Sequence, residues 1–189
     1  MIGRTAERGD TIIEIVLAFA IFAVAAVGTM AVLNSGVATT QRNLETTLVR
    51  EQVDSQAEML RYIHDTNNPT WATVIGSVVS APLALEDSCA VIPSISQGFY
   101  LQPVINTANP TATTFARKSV TSATMIDPTT YAKIDYASGA TQSQGIWIQA
   151  TKAQQNGSVT AYDFYIHACW NSVGTQVPMT IGTIVRIYD

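Results

Sequence analysis

The feature that most constrains this chain is an uncharged run, residues 15–41, lying close to the N-terminus. Its first part, residues 15–33, is apolar apart from Gly28 and Thr29. A bilayer core about 30 Å thick takes roughly 20 helical residues, so residues 15–33 read as a membrane-spanning helix. Arg4 and Arg8 precede the run, with Glu7 between them. Cations on that side hold the N-terminus in the cytoplasm and send the rest of the chain outward. The remainder of the 189-residue chain is long enough for one domain.

Composition narrows the choice further. Only 13% of residues are charged and 47% are hydrophobic, against about a quarter charged in ordinary globular proteins. The formal net charge of −4 argues against a dedicated nucleic-acid binder. Cys89 and Cys169 are too few and too far apart for a zinc knuckle or a redox CxxC pair.

A plain secretory signal peptide is opposed by Glu14. A carboxylate at the centre of a membrane span costs roughly 2.5–3.5 kcal/mol or more without a partner, so an intramembrane glutamate is a functional hypothesis by default. The helical pattern also runs on past residue 33 where a cleavage site of small residues should stand.

The stretch Gly9-Asp10-Thr11-Ile12-Ile13-Glu14 with its apolar run resembles the class III signal of type IV prepilins and pseudopilins. The resemblance is good over residues 3 to about 60 and extends beyond them only as a general plan. It implies that residues 1–9 are a leader cut by prepilin peptidase between Gly9 and Asp10, and that Asp10 becomes the N-methylated N-terminus. It implies that Glu14 is the assembly glutamate, pairing with the terminal amine of a neighbouring subunit. An intermolecular pair of that kind fixes axial register, as one polar residue does in a coiled coil. Two positions depart from the family pattern. Asp10 stands where phenylalanine is usual, and Ala31 stands where many members carry a helix-loosening proline.

The implied fold is α+β and pilin-like. A long N-terminal helix, residues 10–65, has a membrane half and an amphipathic half, and packs on a small antiparallel sheet in an extracytoplasmic head, residues 66–189. Leu44, Leu48, Val49, Val53, Ala57, Leu60 and Ile63 recur at helical spacing. Arg42, Glu45, Glu51, Glu58 and Arg61 occupy the positions read as the polar face, and Arg50–Asp54 and Arg61–Asp65 stand one turn apart as candidate ion pairs. The helix reads as continuous, with Gly28 and Gly36 its only weak points, and Asp65-Thr66-Asn67-Asn68-Pro69 ends it. Asn68 and Pro69 read as N-cap and first residue of a short helix carrying Trp71, Val74 and Ile75.

The stretch from residue 66 to 126 holds only four charges, and sixteen of its residues are Ser or Thr. That texture reads as a solvated connection, or alternatively as a neutral hydroxylated surface. The last third reads as sheet. Residues 145–152 and 158–170 flank Asn156-Gly157, a strong hairpin signal. With that dipeptide at the turn, Trp147 should face Ile166, Ile148 face Tyr165, and Gln149 face Phe164. Tyr162, Phe164, Ile166 and Ala168 form the face expected to pack on the helix, and Asp163, Tyr165, His167 and Cys169 the other. Residues 181–188 add a third strand and 99–101 a possible fourth. Asn156-Gly157-Ser158 is also a glycosylation sequon, a role the turn makes unnecessary.

Cys89 and Cys169 are expected to bridge, because the head is exported and holds only these two thiols; two buried free thiols are the alternative. No nucleophile elbow, zinc-protease motif, phosphate loop or dinucleotide fingerprint is present, so no catalytic residue, metal or cofactor is expected. Asp163 and His167 are too far apart along a strand for a catalytic pair. His64 reads as a helix-surface or interface residue and Arg117-Lys118 as a solvated loop, with phosphate contact the weaker reading.

The expected function is that of a major or minor pilin, acting in adhesion, motility or DNA uptake. Its partners are other pilin subunits, prepilin peptidase and the pilus assembly platform, with a host surface or DNA only weakly indicated. Before assembly the chain is a single-pass membrane protein with its N-terminus cytoplasmic; afterwards it belongs to an extracellular fibre. A pseudopilin of a secretion or competence machine, or a monomeric membrane-anchored binding domain, are the alternatives.

Overall fold

The computed structural model describes residues 10–83, 89, 97–105, 113–136, 141–155 and 157–188. The leader, residues 1–9, lies outside the described residues, and so do the side chains of Asp10 and Thr11. The chain divides into two compact units, Met1–Gln41 and Arg42–Asp189. Helix α1, Asp10–Asp65, is one continuous element. Neither Gly28 nor Gly36 interrupts it.

The C-terminal unit is α+β. After α1 come α2 (Thr70–Ile75), β1 (Phe99–Ile105), β2 (Thr113–Ser119), β3 (Met125–Ile126), β4 (Lys133–Asp135), β5 (Gln142–Gln144), β6 (Ile146–Gln155), β7 (Ser158–Trp170) and β8 (Met179–Tyr188). The main sheet has the order β2-β1-β6-β7-β8 and every neighbouring pair is antiparallel. A small second sheet, β3-β5-β4, is mixed. Strand β1 contains the expected fourth strand, residues 99–101, and with β2 it stands inside the stretch whose hydroxyl-rich, charge-poor texture reads as a solvated connection. Phe99, Tyr100 and Leu101 are fully buried there. Arg117 belongs to β2 and lies over the Phe99 ring, 4.9 Å from its centroid, so it is a packed strand residue and not part of a loop.

The core joins one stripe of α1 to one face of the main sheet. Val49, Val53, Ala57, Leu60 and Ile63 cluster with Ile146, Ile148, Phe164, Ile166 and Ala168. Leu44 leaves the expected stripe and is 60% exposed. Its place is taken by Glu45, which is buried although the spacing assigns it to the polar face. Among the described residues neither expected ion pair forms: Arg61 pairs with Glu58, and Asp65 accepts from the His64 ring.

The β6–β7 hairpin corrects the expected register. Next to the turn, Gln155 pairs with Ser158 and Gln154 with Val159, as the dipeptide predicts. A bulge after Ala153 then shifts the ladder by one, so Trp147 pairs with His167, Ile148 with Ile166 and Gln149 with Tyr165. One residue of slip carries a side chain to the opposite neighbour set. Here the bulge, which leaves Thr160 unpaired, puts Ile148 beside Ile166 in the core and Trp147 on the outer face. Gly145 precedes β6 at φ +74, where an added Cβ would collide with the Cys169 carbonyl oxygen. Only glycine fits that approach.

Helix α2 begins one residue later than expected, with Pro69 rather than Asn68 at its N-cap position. The Asn68 side chain still supplies an acceptor, taking the Thr70 amide at 3.0 Å. Trp71 on this helix meets the rings of Tyr162 and Phe164, sealing one edge of the core.

Candidate functional site

In the N-terminal unit the apolar side chains of α1 are turned outward on every side. Ile12, Leu17, Phe19, Phe22, Val27 and Leu33 are each more than half exposed. By length and composition this helix can cross a membrane. Its backbone is satisfied within the helix, the condition for a lipid-exposed span. The one hydroxyl within residues 15–33, that of Thr29, donates to the Ala25 carbonyl at 2.8 Å, so it adds no unpaired donor. Thr39 and Thr40 do the same toward Ser35 and Gly36. Ile15, Ala18, Phe19 and Phe22 line a shallow apolar groove. An apolar surface this continuous marks a membrane or protein contact.

Glu14 stands on that surface, exposed, with neither hydrogen bond nor ion pair among the described residues. Asp10 is the first residue of α1, one turn before it. Gly9 lies outside the described residues. Among the described side chains of this unit, Glu14 is the one charged group, at the N-terminal end of an apolar cylinder.

The half of α1 within the C-terminal unit is built differently. Three polar side chains point into the protein, and each finds a partner. Glu45 accepts from the Trp170 indole N–H at 3.1 Å and from the Ser172 hydroxyl. Gln52 accepts from the Ile134 amide at 3.3 Å. Gln56, 1% exposed, donates to the Leu101 carbonyl at 2.9 Å and accepts from its amide at 2.8 Å. The β1–β6 ladder has its one registered pair at Phe99, and Gln56 satisfies the backbone two residues on. Leaving that amide and carbonyl unpaired would cost about 1–3 kcal/mol each. Arg42 donates to the carbonyls of Val173 and Gly174, at 3.3 and 2.8 Å. Polarity alone places Glu45, Gln52 and Gln56 outside, and so hides them as docking residues. Their spacing of seven and four, in phase with Val49 and Val53, is the signal that points them inward.

Cys89 and Cys169 are bridged, with Cα atoms 5.8 Å apart. On the same outer face, Asp163 and Arg186 form a two-point ion pair at 2.6 and 2.7 Å. The guanidinium holds the Asp163 carboxyl below its usual value, and Asp163 in turn raises Arg186. His167 stacks between Trp147 and Tyr165, and neither ring nitrogen has a hydrogen-bond partner among the described residues. Burial therefore lowers its pKa. His64 is half-buried against Trp71. Among the described residues no cluster of His, Cys, Asp and Glu is arranged to hold a metal ion. Protein-family models, curated proteins and solved structures yield no match to this chain, so the reading of its function rests on these residues.

Proposed function

We propose that this chain is a structural subunit, a major or minor pilin, of a type IV pilus, and that it polymerises through its N-terminal helix. The observation that carries the reading is Glu14, a carboxylate on an exposed apolar helix with no partner among the described residues. In hydrocarbon such a group needs a cation, and cleavage after Gly9 creates one in the new terminal amine. A neighbour's amine meets Glu14 when helices stack with a stagger, and the same stacking covers the apolar cylinder. Processing by prepilin peptidase, N-methylation of Asp10, the assembly platform and the extracellular fibre belong to this reading. The exposed, uncharged surface of residues 15–33 and the oxidised head support it.

The test is a pair of variants followed by N-terminal sequencing and by recovery of sheared fibres. Gly9→Trp should leave full-length protein in the inner membrane, because a side chain there obstructs the peptidase. Glu14→Gln should be cleaved and folded yet stay in the membrane, and Asp10→Phe with Glu14→Gln should abolish fibres. Mature-length protein from Gly9→Trp, or normal fibre yield from the double variant, refutes the proposal. Correct cleavage with scarce, short fibres in the parent would instead identify a pseudopilin, and no cleavage at all a monomeric anchored domain.

A further inference from the structure

The main sheet ends differently on its two sides. At β2 the Phe115 carbonyl accepts from the Thr70 hydroxyl at 2.6 Å, so the start of α2 closes that edge. At β8 the ladder is open. Cys169 donates its amide to the Gly145 carbonyl at 2.9 Å, which turns its backbone groups toward β6. Backbone direction alternates along antiparallel strands, so Thr180, opposite Cys169, turns its amide and carbonyl away from β7. The β7–β8 ladder runs to Tyr188 without a shift, so Gly182, Ile184, Arg186 and Tyr188 do the same. All five residues are exposed, and among the described residues no hydrogen bond reaches these outward backbone groups.

Sheets ordinarily guard such an edge with proline, lysine, a bulge or a very short strand. Strand β8 has ten residues, no proline, no lysine and no bulge. Its one charge, Arg186, is paired with Asp163 on the neighbouring strand. Ile184 and Tyr188 stand out from it, 60% and 69% exposed. The loop before it, residues 171–178, is held to α1 by Arg42, which fixes where the strand begins.

We propose that β8 pairs antiparallel with β8 of a second copy of this chain, across a two-fold axis at Ile184. The open backbone groups set the register. With Ile184 opposite its twin, Gly182 faces Arg186 and Thr180 faces Tyr188, so every outward residue of one strand meets an outward residue of the other. Any other symmetric register leaves at least one of the five unpaired. The same register suits the side chains. Each guanidinium meets a glycine instead of its own twin, which keeps like charges apart, and Ile181 faces Ile187 on the inner side. A head-to-tail sheet would need the β2 edge of the second copy, which Thr70 closes. A contact one strand wide belongs to the weak class of interfaces, below about 1,200 Å², so the pair forms in proportion to concentration. The two-fold reverses every strand, and with them the α1 segment packed along the sheet within this unit. Heads that point the same way in one fibre cannot make this contact, whereas free chains or the heads of opposed fibres can. The inference thus goes beyond the filament reading and needs neither leader cleavage nor fibre growth.

Full-length protein in detergent micelles tests it. Ile184→Cys and Val173→Cys, the latter at an exposed position outside β8, are oxidised over a concentration series, and peptide mapping checks that the Cys89–Cys169 bridge stays intact. Facing Cα atoms in such a pair stand about 5.5 Å apart, within disulfide reach. Ile184→Cys should therefore give a linked dimer and Val173→Cys little. No linked dimer from Ile184→Cys, or equal yields from the two, overturns the proposal. Sedimentation equilibrium reads the reversible pair. Ile184→Pro removes an outward amide and leaves the β7 ladder whole, and Ile184→Lys sets like charges opposite each other. Each should raise the dissociation constant about tenfold or more, since the substitution acts twice in the dimer. Association equal to the parent's in both variants overturns the proposal. So does a parent that is monomeric throughout, the result expected if this edge serves a different protein. A melting temperature close to the parent's establishes that each variant is folded, and the two substitutions give independent readings should one not fold.

Discussion

Leu17 is 59% exposed and Leu60 fully buried, although both stand on α1 and differ in nothing chemical. Around Leu17 apolar positions encircle the helix, with Glu14 one turn before it the exception, so no face is set apart as a core stripe. Around Leu60 the apolar positions form one stripe, and that stripe has a sheet to meet. The two halves show that hydrophobic content and hydrophobic pattern make separate demands. Content asks for another solvent or another molecule, whereas pattern asks for a partner within the fold.

The sharpest way to separate the halves is the bridge, which belongs to the head alone. Replacing Cys89 and Cys169 together with serine opens a link between residues 80 apart in sequence. In the chain-entropy model this costs about 4–5 kcal/mol. Calorimetry should show the head melting roughly ten degrees lower or more, with membrane retention unchanged. An unaltered melting point would mean that the bridge does not stabilise the head.

A second comparison makes the same substitution in both halves. Leu60→Ala should destabilise the head by about 2–5 kcal/mol, as truncation in a packed core does. Leu17→Ala should leave head stability within about 0.5 kcal/mol. Chemical denaturation in detergent reads both, and equal effects would dissolve the distinction between the halves.

The smallest effect concerns pH and is confined to the head. Burial holds His167 neutral, with its pKa below the ordinary 6.5. As pH falls through 6.5 toward that lower value, the unfolded chain binds a proton that the folded chain resists, so stability declines. His167→Phe should flatten the dependence of melting temperature on pH between about 7 and 5. A slope identical to the parent's would assign the dependence elsewhere.

The outline of the fold is legible where pattern is local. The long helix follows from uninterrupted helical spacing, and the hairpin from Asn156-Gly157. Register is legible only beside the turn, because the bulge after Ala153 answers to packing across the sheet, which no dipeptide encodes. Glu45 and Gln56 escape a reading of local pattern for a related reason. A polar residue points inward when a distant partner exists for it. Trp170 stands 125 positions from Glu45 along the chain, and Leu101 stands 45 from Gln56. Strand β2 is obscured by Thr113, Thr114 and Ser119, residue types that suit both strand and loop, whereas β1 is legible in part, as residues 99–101. As for the candidate site, Glu14 is legible because a charge beside an apolar run is conspicuous without any tertiary context.

The sockets along the second half of α1 also have a mechanical meaning. Arg42, Glu45, Gln52 and Gln56 grip the loop, the main sheet and the small sheet at four successive heights. A force along the helix axis within this unit therefore stretches all four grips at once, in shear, and none can be peeled open ahead of the others. A force across the axis meets them one at a time. The head is consequently built to transmit tension along α1 and to yield first when levered sideways.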